Sequence, residues 1–236
     1  MSNDPSAAQD PRALPEPPDL GMVLFAMIAR PRIAAGNALV VAEAGGAPQL
    51  SFATFQADGD VVALLGPVGA GEVGGSEYLA LLADGLAEDG QTPGGIGERP
   101  PADPAREKAV QLAVHRAVAD GLLSSAHACS AGGLAVALAA CATERGAAVR
   151  IPFVARKDHV LFGEEPGRIV VSFPRANLDR VGLVAKLAGV PLVVLGAVGG
   201  PALEIQSALS IPVAELAEAW REAVRRRDVG EAAQPG

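Results

Sequence analysis

Basic charge and aromatic side chains are both scarce in this chain. Its 236 residues include 19 Lys and Arg against 27 Asp and Glu, a net charge of −8, and only 3% are aromatic. Proteins that bind nucleic acid need clustered basic residues, and binding of single strands depends on aromatic stacking. The composition therefore argues against a nucleic-acid partner. The one basic run, Arg225–Arg227, ends a predicted helix, where cations suit the helix dipole.

Long apolar runs and cysteines are also scarce. No uncharged run reaches the roughly 18–20 residues of a membrane-spanning helix. The N-terminus, Met1–Pro5, is polar and acidic, unlike a secretion signal. We therefore expect a cytoplasmic protein without membrane contact. Cys129 and Cys141 lack the spacing of metal ligands or of a redox pair, so the sequence predicts neither a metal site nor a disulfide.

Half of the residues are hydrophobic, which is enough for one sizeable core. Residues 1–19 are rich in Pro, Ala and Asp and predict a disordered leader, and residues 228–236 predict a disordered tail. Strands and helices alternate along the sequence between these ends. This order indicates an α/β fold, a mixed sheet with packed helices.

Apolar patterning and turn residues place the predicted elements. The almost continuously apolar run Leu20–Ile28 predicts a strand, and a hairpin is predicted with arms at 37–42 and 50–55 around a turn at 43–48. Further strands are predicted at 61–65, 148–152, 168–173, 192–195 and 203–206. Helices are predicted at 77–86, from Pro104 to a stop at Gly121, and at 131–145, 176–188 and 212–226. Ser76 and Gly146 are the expected caps, and 88–103 predicts a loop.

The segment Ser124–Gly133 has the pattern of a strand, a tight turn and a helix start. The first amides of a helix lack intrahelical partners and carry partial positive charge, and glycines let a ligand approach the backbone. This turn therefore predicts a cradle for a phosphate or a carboxylate. His127 either donates to such a ligand or bonds the local backbone. Ser130 either caps the helix or contacts the anion together with the two glycine amides.

Five segments, in the same order, resemble the C-terminal domains of phosphoribosylformylglycinamidine synthase, the purine-pathway amidotransferase of the aminoimidazole ribonucleotide (AIR) synthase superfamily. They are GDVVALLG at 59–66, GGSEYL at 74–79, SAHACSAGGLAVALAA at 125–140, LFGEEPGRIVVS at 161–172 and GAVGG at 196–200. The resemblance implies that residues 59–227 form a synthase C-terminal-like domain with that family's mixed sheet. Residues 20–58 would then be a remnant of an N-terminal domain with connecting strands.

The chain departs from the family pattern inside its longest motif. Ala128 replaces the family Asp after His, and Ala131 replaces the acidic residue before Gly-Gly. A carboxylate that could hold a cation is therefore missing. The family's ATP-contacting and magnesium-binding motifs lie in parts that this chain does not contain. We therefore expect no catalytic residue, metal ligand or cofactor on this chain, whereas the complete family enzyme uses ATP and Mg.

The resemblance also extends the candidate site. Glu164 and Arg168 lie in a segment that contacts substrate in the catalytic half of the synthase. In the other half this segment braces the sheet, and Arg168 can instead pair with neighbouring carboxylates. The turn before Ser76 is either a second anion cradle or the start of a helix. The expected phosphate- or substrate-binding residues are His127, Ser130, Gly132, Gly133, Gly163, Glu164, Arg168, Gly74, Gly75 and Ser76.

Three functions fit these patterns. The first is part of a phosphoribosylformylglycinamidine synthase, a ligase that amidates formylglycinamide ribonucleotide with glutamine as amide donor. In this case the chain would dock with the other synthase subunits and would lack complete activity alone. The second is a catalytically inactive relative, a pseudoenzyme that binds a nucleotide or another phosphorylated small molecule as a regulator. The third is a structural module whose Leu20–Ile28 strand pairs with another chain or forms a homodimer.

Overall fold

The computed structural model describes residues 19–30, 33, 41–44, 47–50, 53–69, 71–87, 98, 100–101 and 103–232. Its helices are α1 Leu20–Ile28, α2 Glu77–Ala87, α3 Pro104–Ala119, α4 Gly133–Cys141, α5 Lys157–Phe162, α6 Leu178–Leu187 and α7 Val213–Ala232. Its strands are β1 Val41–Ala44, β2 Ala47–Leu50, β3 Val61–Leu65, β4 Ser125–Ala128, β5 Ala147–Val149, β6 Ile169–Phe173, β7 Leu192–Val198, β8 Ala202–Ile205 and β9 Leu209–Pro212. The predicted leader up to residue 18 and most of the predicted loop 88–103 lie outside these ranges.

A mixed sheet organises the described residues. Its strand order is β4-β6-β3-β7-β5-β8-β9, and every neighbouring pair is antiparallel except the parallel pair β5–β8. All five residues of β3 are buried, because this strand is apolar on both faces and lies inside the sheet. The predicted α/β fold with a mixed sheet is confirmed.

Helices cover the sheet from both sides and create two hydrophobic cores. Helices α3 and α6 pack on β4, β6 and β3, and the predicted apolar stripe of α3 is buried there: Val110, Val114, Ala117 and Val118. The larger core lies on the opposite face, where α1, α4, α5 and α7 pack. Every residue of α4 is buried. Its small alanine side chains let neighbouring elements approach from all directions.

The segment Leu20–Ile28 is a helix, so the strand prediction for it was wrong. The Asp19 carboxylate accepts hydrogen bonds from the Gly21 and Met22 amides at 2.8 and 3.1 Å and caps the first turn. The buried side chains recur at helical spacing: Val23, Leu24, Met27 and Ile28. An apolar run of nine residues has no clear period, which is why sequence patterning could not separate the two structures. Edge pairing by this segment therefore has no structural basis.

Several predicted boundaries also change. The antiparallel pair β1–β2 confirms the hairpin, but both strands extend into the turn predicted at 43–48. Helix α4 ends at Cys141, so Gly146 is not its C-cap. Gly146 instead allows close backbone packing, since a Cβ there would lie 2.3 Å from the Ala202 carbonyl oxygen.

Helix α5 and strand β9 were not predicted, and α7 continues past residue 226 to Ala232. None of the helices in the described ranges is long and apolar enough to cross a membrane.

Candidate functional site at the glycine bend

The glycine bend, residues 129–133, joins β4 to α4 and has the predicted order of strand, turn and helix. Gly132 and Gly133 have φ angles of 82° and 68°, in the left-handed region that favours glycine. A Cβ on Gly133 would lie 2.5 Å from the Gly163 carbonyl oxygen, and one on Gly132 would lie 2.4 Å from the Val136 side chain. Gly133 therefore accommodates the protein's own backbone and Gly132 accommodates side chains, in the place where the sequence suggested a ligand.

The glutamate loop, residues 163–168, supplies the negative charge at this bend. Glu164 Oε1 accepts a hydrogen bond from the Gly132 amide at 2.9 Å and a second one from the Glu77 amide at 2.9 Å. Gly132 is the N-cap residue of α4, and no side chain caps that helix from the N-cap position. Of the two roles that the sequence left open for Ser130, capping of the helix is therefore wrong. Ser130 contributes its carbonyl oxygen, which accepts from the Gly133 amide at 3.0 Å.

The second predicted cradle, Gly74 to Ser76, is the turn that starts α2. Ser76 Oγ accepts from the Leu79 amide at 3.3 Å and donates to the Val73 carbonyl at 2.6 Å, so its predicted role as N-cap is confirmed. A Cβ on Gly74 would lie 2.0 Å from the Glu98 carbonyl oxygen, so this glycine also allows backbone to pass closely. Gly75 lies between them, within the same turn.

The other charged residues of the glutamate loop also bind backbone groups. Glu165 Oε1 accepts from the Gly71 amide at 3.1 Å. The Arg168 side chain is buried and donates to three carbonyl oxygens: Val68 at 3.0 Å, Glu165 at 3.1 Å, and Gly163. The acidic side chains thus hold amides while the arginine holds carbonyls. These bonds brace the loop and the segments around it, whereas the alternatives expected from the sequence were bracing of the sheet and pairing of Arg168 with carboxylates.

A cavity of about 340 Å³ opens beside the bend, between α3, the glycine bend and the glutamate loop. Its polar lining residues are Glu107, Gln111, Ser130, Glu164 and Arg168. Three of the predicted site residues are therefore brought together around one opening. Gly132, Gly133 and Gly163 do not line it, and neither does the Gly74–Ser76 turn, which lies on the α2 side of Glu164.

His127 faces away from this cavity. Side chains alternate along a strand, and its neighbours Ala126 and Ala128 face the α3 core and the cavity. His127 is 4% exposed, and Nδ1 has no hydrogen-bond partner among the described residues. Burial lowers the pKa of His127 to about 4, against a smaller opposite effect of a hydrogen bond with the Ala53 backbone. The imidazole is therefore neutral at pH 7.

This buried imidazole predicts a loss of stability in mild acid. The unfolded chain binds a proton at His127 near pH 6.5 and the folded chain only near pH 4, so the free energy of unfolding falls between these values as the pH is lowered. The full effect is about 3 kcal/mol. Denaturant unfolding across this range should show a shallower decline in His127→Gln, while His115→Gln, at an exposed histidine, should follow the wild type. Parallel profiles for wild type and His127→Gln would contradict the prediction.

The two cysteines are buried free thiols. Burial raises the pKa of Cys129 to about 11 and that of Cys141 well above its usual range. Such thiols are poor nucleophiles at neutral pH. Within the described ranges, no group of three or more His, Cys, Asp or Glu side chains could hold a metal ion.

Sequence reasoning missed a buried polar cluster behind the site. Tyr78 Oη donates to Asp158 Oδ2 at 2.7 Å, and Arg156 Nε and Nη2 donate to Asp158 Oδ1 and Oδ2 at 3.0 and 2.7 Å. The Tyr78 ring also stacks on Phe162, with centroids 5.2 Å apart. The available signal was that Tyr78 is the only tyrosine of the chain and lies in the GGSEYL motif. The cluster ties α2 to α5, the helix that leads into the glutamate loop.

The comparison with known proteins identifies the family. Residues 57–206 match the family described as AIR synthase related protein, C-terminal domain. The chain belongs to this family. This chain is 54% identical over 197 residues to phosphoribosylformylglycinamidine synthase subunit PurL of Anaeromyxobacter sp. (strain Fw109-5), an alignment that covers 77% of this chain and 24% of that protein. It is 38% identical over 176 residues to the same subunit of Moorella thermoacetica, an alignment that covers 72% of this chain and 23% of that protein.

Solved structures agree with this assignment at the level of the fold. Thermotoga maritima PurL complexed with FGAR superposes with a TM-score of 0.58 at 21% identity, over 72% of this chain and 29% of that one. The PurLQS structure from the same organism superposes with a TM-score of 0.53 at 21% identity, over 72% of this chain and 28% of that one. The predicted resemblance is confirmed, and the chain spans about a quarter of the length of the curated relatives it matches.

Proposed function

We propose that this chain supplies the C-terminal AIR synthase related domain of a phosphoribosylformylglycinamidine synthase, and that it acts in purine biosynthesis together with the rest of that enzyme. The supporting observation is its 54% identity to PurL of Anaeromyxobacter sp. over a region that is 24% of that protein. The partners that we propose are therefore the remaining parts of the synthase.

The chemistry of the site supports a contribution to assembly. Glu164 and Arg168 bind backbone groups of the chain itself, and His127 is neutral and buried. Both thiols have raised pKa values. The alternative of a phosphate-binding regulator gains no support from the bend, because the Gly132 amide that would hold the anion donates to Glu164. We therefore propose that the chain has no complete activity of its own.

A purine auxotroph tests this proposal. The host would produce an Anaeromyxobacter PurL that lacks its matching C-terminal domain, and this chain would be supplied separately or fused to the truncated subunit. We expect growth without added purine only when both parts are present. The variant Gly133→Ala should disrupt the bend, so we expect no growth without added purine when it replaces the wild-type chain.

Two results would contradict the proposal. One is absence of growth although the wild-type chain is folded and abundant in the cells. The other is growth of a host that lacks the whole synthase when this chain is the only part supplied, because the chain would then be active alone.

A further inference from the structure

Two helix N-termini converge on one side-chain oxygen at the glycine bend. Glu164 Oε1 lies 2.9 Å from both the Gly132 amide, at the start of α4, and the Glu77 amide, at the start of α2. Each helix presents partial positive charge at this end, from amides that lack intrahelical partners. The carboxylate is therefore placed where a bound anion would be most stable.

Backbone packs closely against the bend next to Glu164, whose side chain also lines the cavity. A Cβ on Gly133 would lie 2.5 Å from Gly163 O, 2.8 Å from Phe162 C and 2.9 Å from Leu161 O. The residues just before Glu164 thus lie directly against the bend. A Cβ on Gly163 would lie 2.8 Å from the Glu72 carbonyl oxygen, so the segment that leads to α2 closes the other side.

Glu77 extends this contact to a third helix. The Glu77 amide bonds Glu164, while the Glu77 carboxylate accepts from Arg30 Nε at 2.7 Å, just beyond the end of α1. Arg30 Nη1 also donates to Asp84 of α2 at 2.8 Å. A connection therefore runs from α1 through α2 and Glu164 to α4. Removing the carboxylate would free two amides and break this connection at its centre.

We propose that Glu164 is a tethered anion that fills the cradle of the glycine bend. The bend in this chain is closed to external phosphate, and its occupant is the chain's own carboxylate. Because two helix N-termini face this one oxygen, the cradle takes a small free carboxylate such as acetate once Glu164 is removed. This inference does not depend on the proposed function, since it concerns contacts within the isolated domain.

Acetate rescue of Glu164→Ala tests the inference, with Glu165→Ala as the matched control. Glu165 is the next residue of the same loop and also accepts from backbone amides, but those of Gly71 and Glu72 do not start a helix. Glu164→Ala should lower Tm by roughly 5–10 °C, because two amides lose a charged acceptor. Sodium acetate, compared with sodium chloride at equal ionic strength, should restore part of this loss. It should leave the Tm of the wild type and of Glu165→Ala unchanged.

Amide resonances measured by NMR provide the second readout. In Glu164→Ala, acetate should move the signals of Gly132 and Glu77 in a saturable way, while inorganic phosphate should move neither signal in the wild type. If Glu164→Ala does not fold, Glu164→Gln keeps the side-chain length without the charge and should shift both signals upfield. The proposal is overturned if phosphate saturably moves the Gly132 signal in the wild type, if acetate stabilises Glu165→Ala as much as Glu164→Ala, or if Glu164→Gln leaves both signals in place.

Discussion

Replacing Asp158 with alanine is expected to lower the free energy of unfolding by about 3 kcal/mol, because the buried Tyr78 hydroxyl loses its charged acceptor and the partly exposed Arg156 loses its ion-pair partner. Asp158 is 1% exposed and accepts hydrogen bonds from Tyr78 Oη and from two nitrogens of Arg156. Burial alone would raise the pKa of Asp158, but the hydrogen bonds from Arg156 and Tyr78 lower it below its usual value. The carboxylate is therefore charged in the folded protein, and its removal leaves a buried hydroxyl without an acceptor.

Denaturant unfolding of a variant series measures this effect. Tyr78→Phe removes only the hydroxyl and should lose about 1 kcal/mol, the typical net value of one hydrogen bond. Asp158→Asn keeps an acceptor for Tyr78 without the charge, so its loss should fall between the other two. A loss for Asp158→Ala no larger than that for Tyr78→Phe would show that the ion pair with Arg156 contributes nothing.

Gly133→Ala is expected to lower the free energy of unfolding by about 4 kcal/mol, because backbone strain and steric overlap add. The left-handed φ of 68° disfavours any side chain. The new Cβ would also overlap the backbone of the glutamate loop, 2.5 Å from Gly163 O. The loop would have to move, and the contact between Glu164 and the Gly132 amide would be lost with it.

Gly189→Ala separates these two contributions. Gly189 has the same φ of 68°, but a Cβ there would meet nothing within 4 Å. Its substitution should lower the free energy of unfolding by only about 1–2 kcal/mol, the strain of the left-handed backbone alone. Equal losses for the two variants, measured by denaturant unfolding, would mean that the close packing at the bend does not affect stability.

Most of the sheet and its helices could be predicted from the sequence, because their patterns are local. Helix α3 has an apolar stripe at helical spacing, and the five-residue apolar run of β3 has the length that is typical of a buried strand. The run Leu20–Ile28 lacks such a period, and its helical state depends on the Asp19 cap and on packing against α7 and α4. Local patterning therefore failed where tertiary contacts decide the structure.

The position of the candidate site was predictable, but its occupant was not. Glycines before an alanine-rich run marked the bend that starts α4. The contacts that fill it join residues 32 and 87 positions apart, Gly132 and Glu77 with Glu164. Tyr78 and Asp158 are separated by 80 positions. No local motif encodes such distant pairs. The sequence pattern therefore predicted that a ligand would supply the anion at the bend, whereas Glu164 of the chain supplies it.

Association with the rest of a synthase tests the proposed function most directly. Sedimentation velocity would follow this chain mixed with an Anaeromyxobacter PurL that lacks its matching C-terminal domain. We predict a single complex with one copy of each, whose sedimentation is unchanged by Glu165→Ala. Two separately sedimenting species, or a homodimer of this chain that excludes the truncated subunit, would contradict the proposal that this domain completes a synthase.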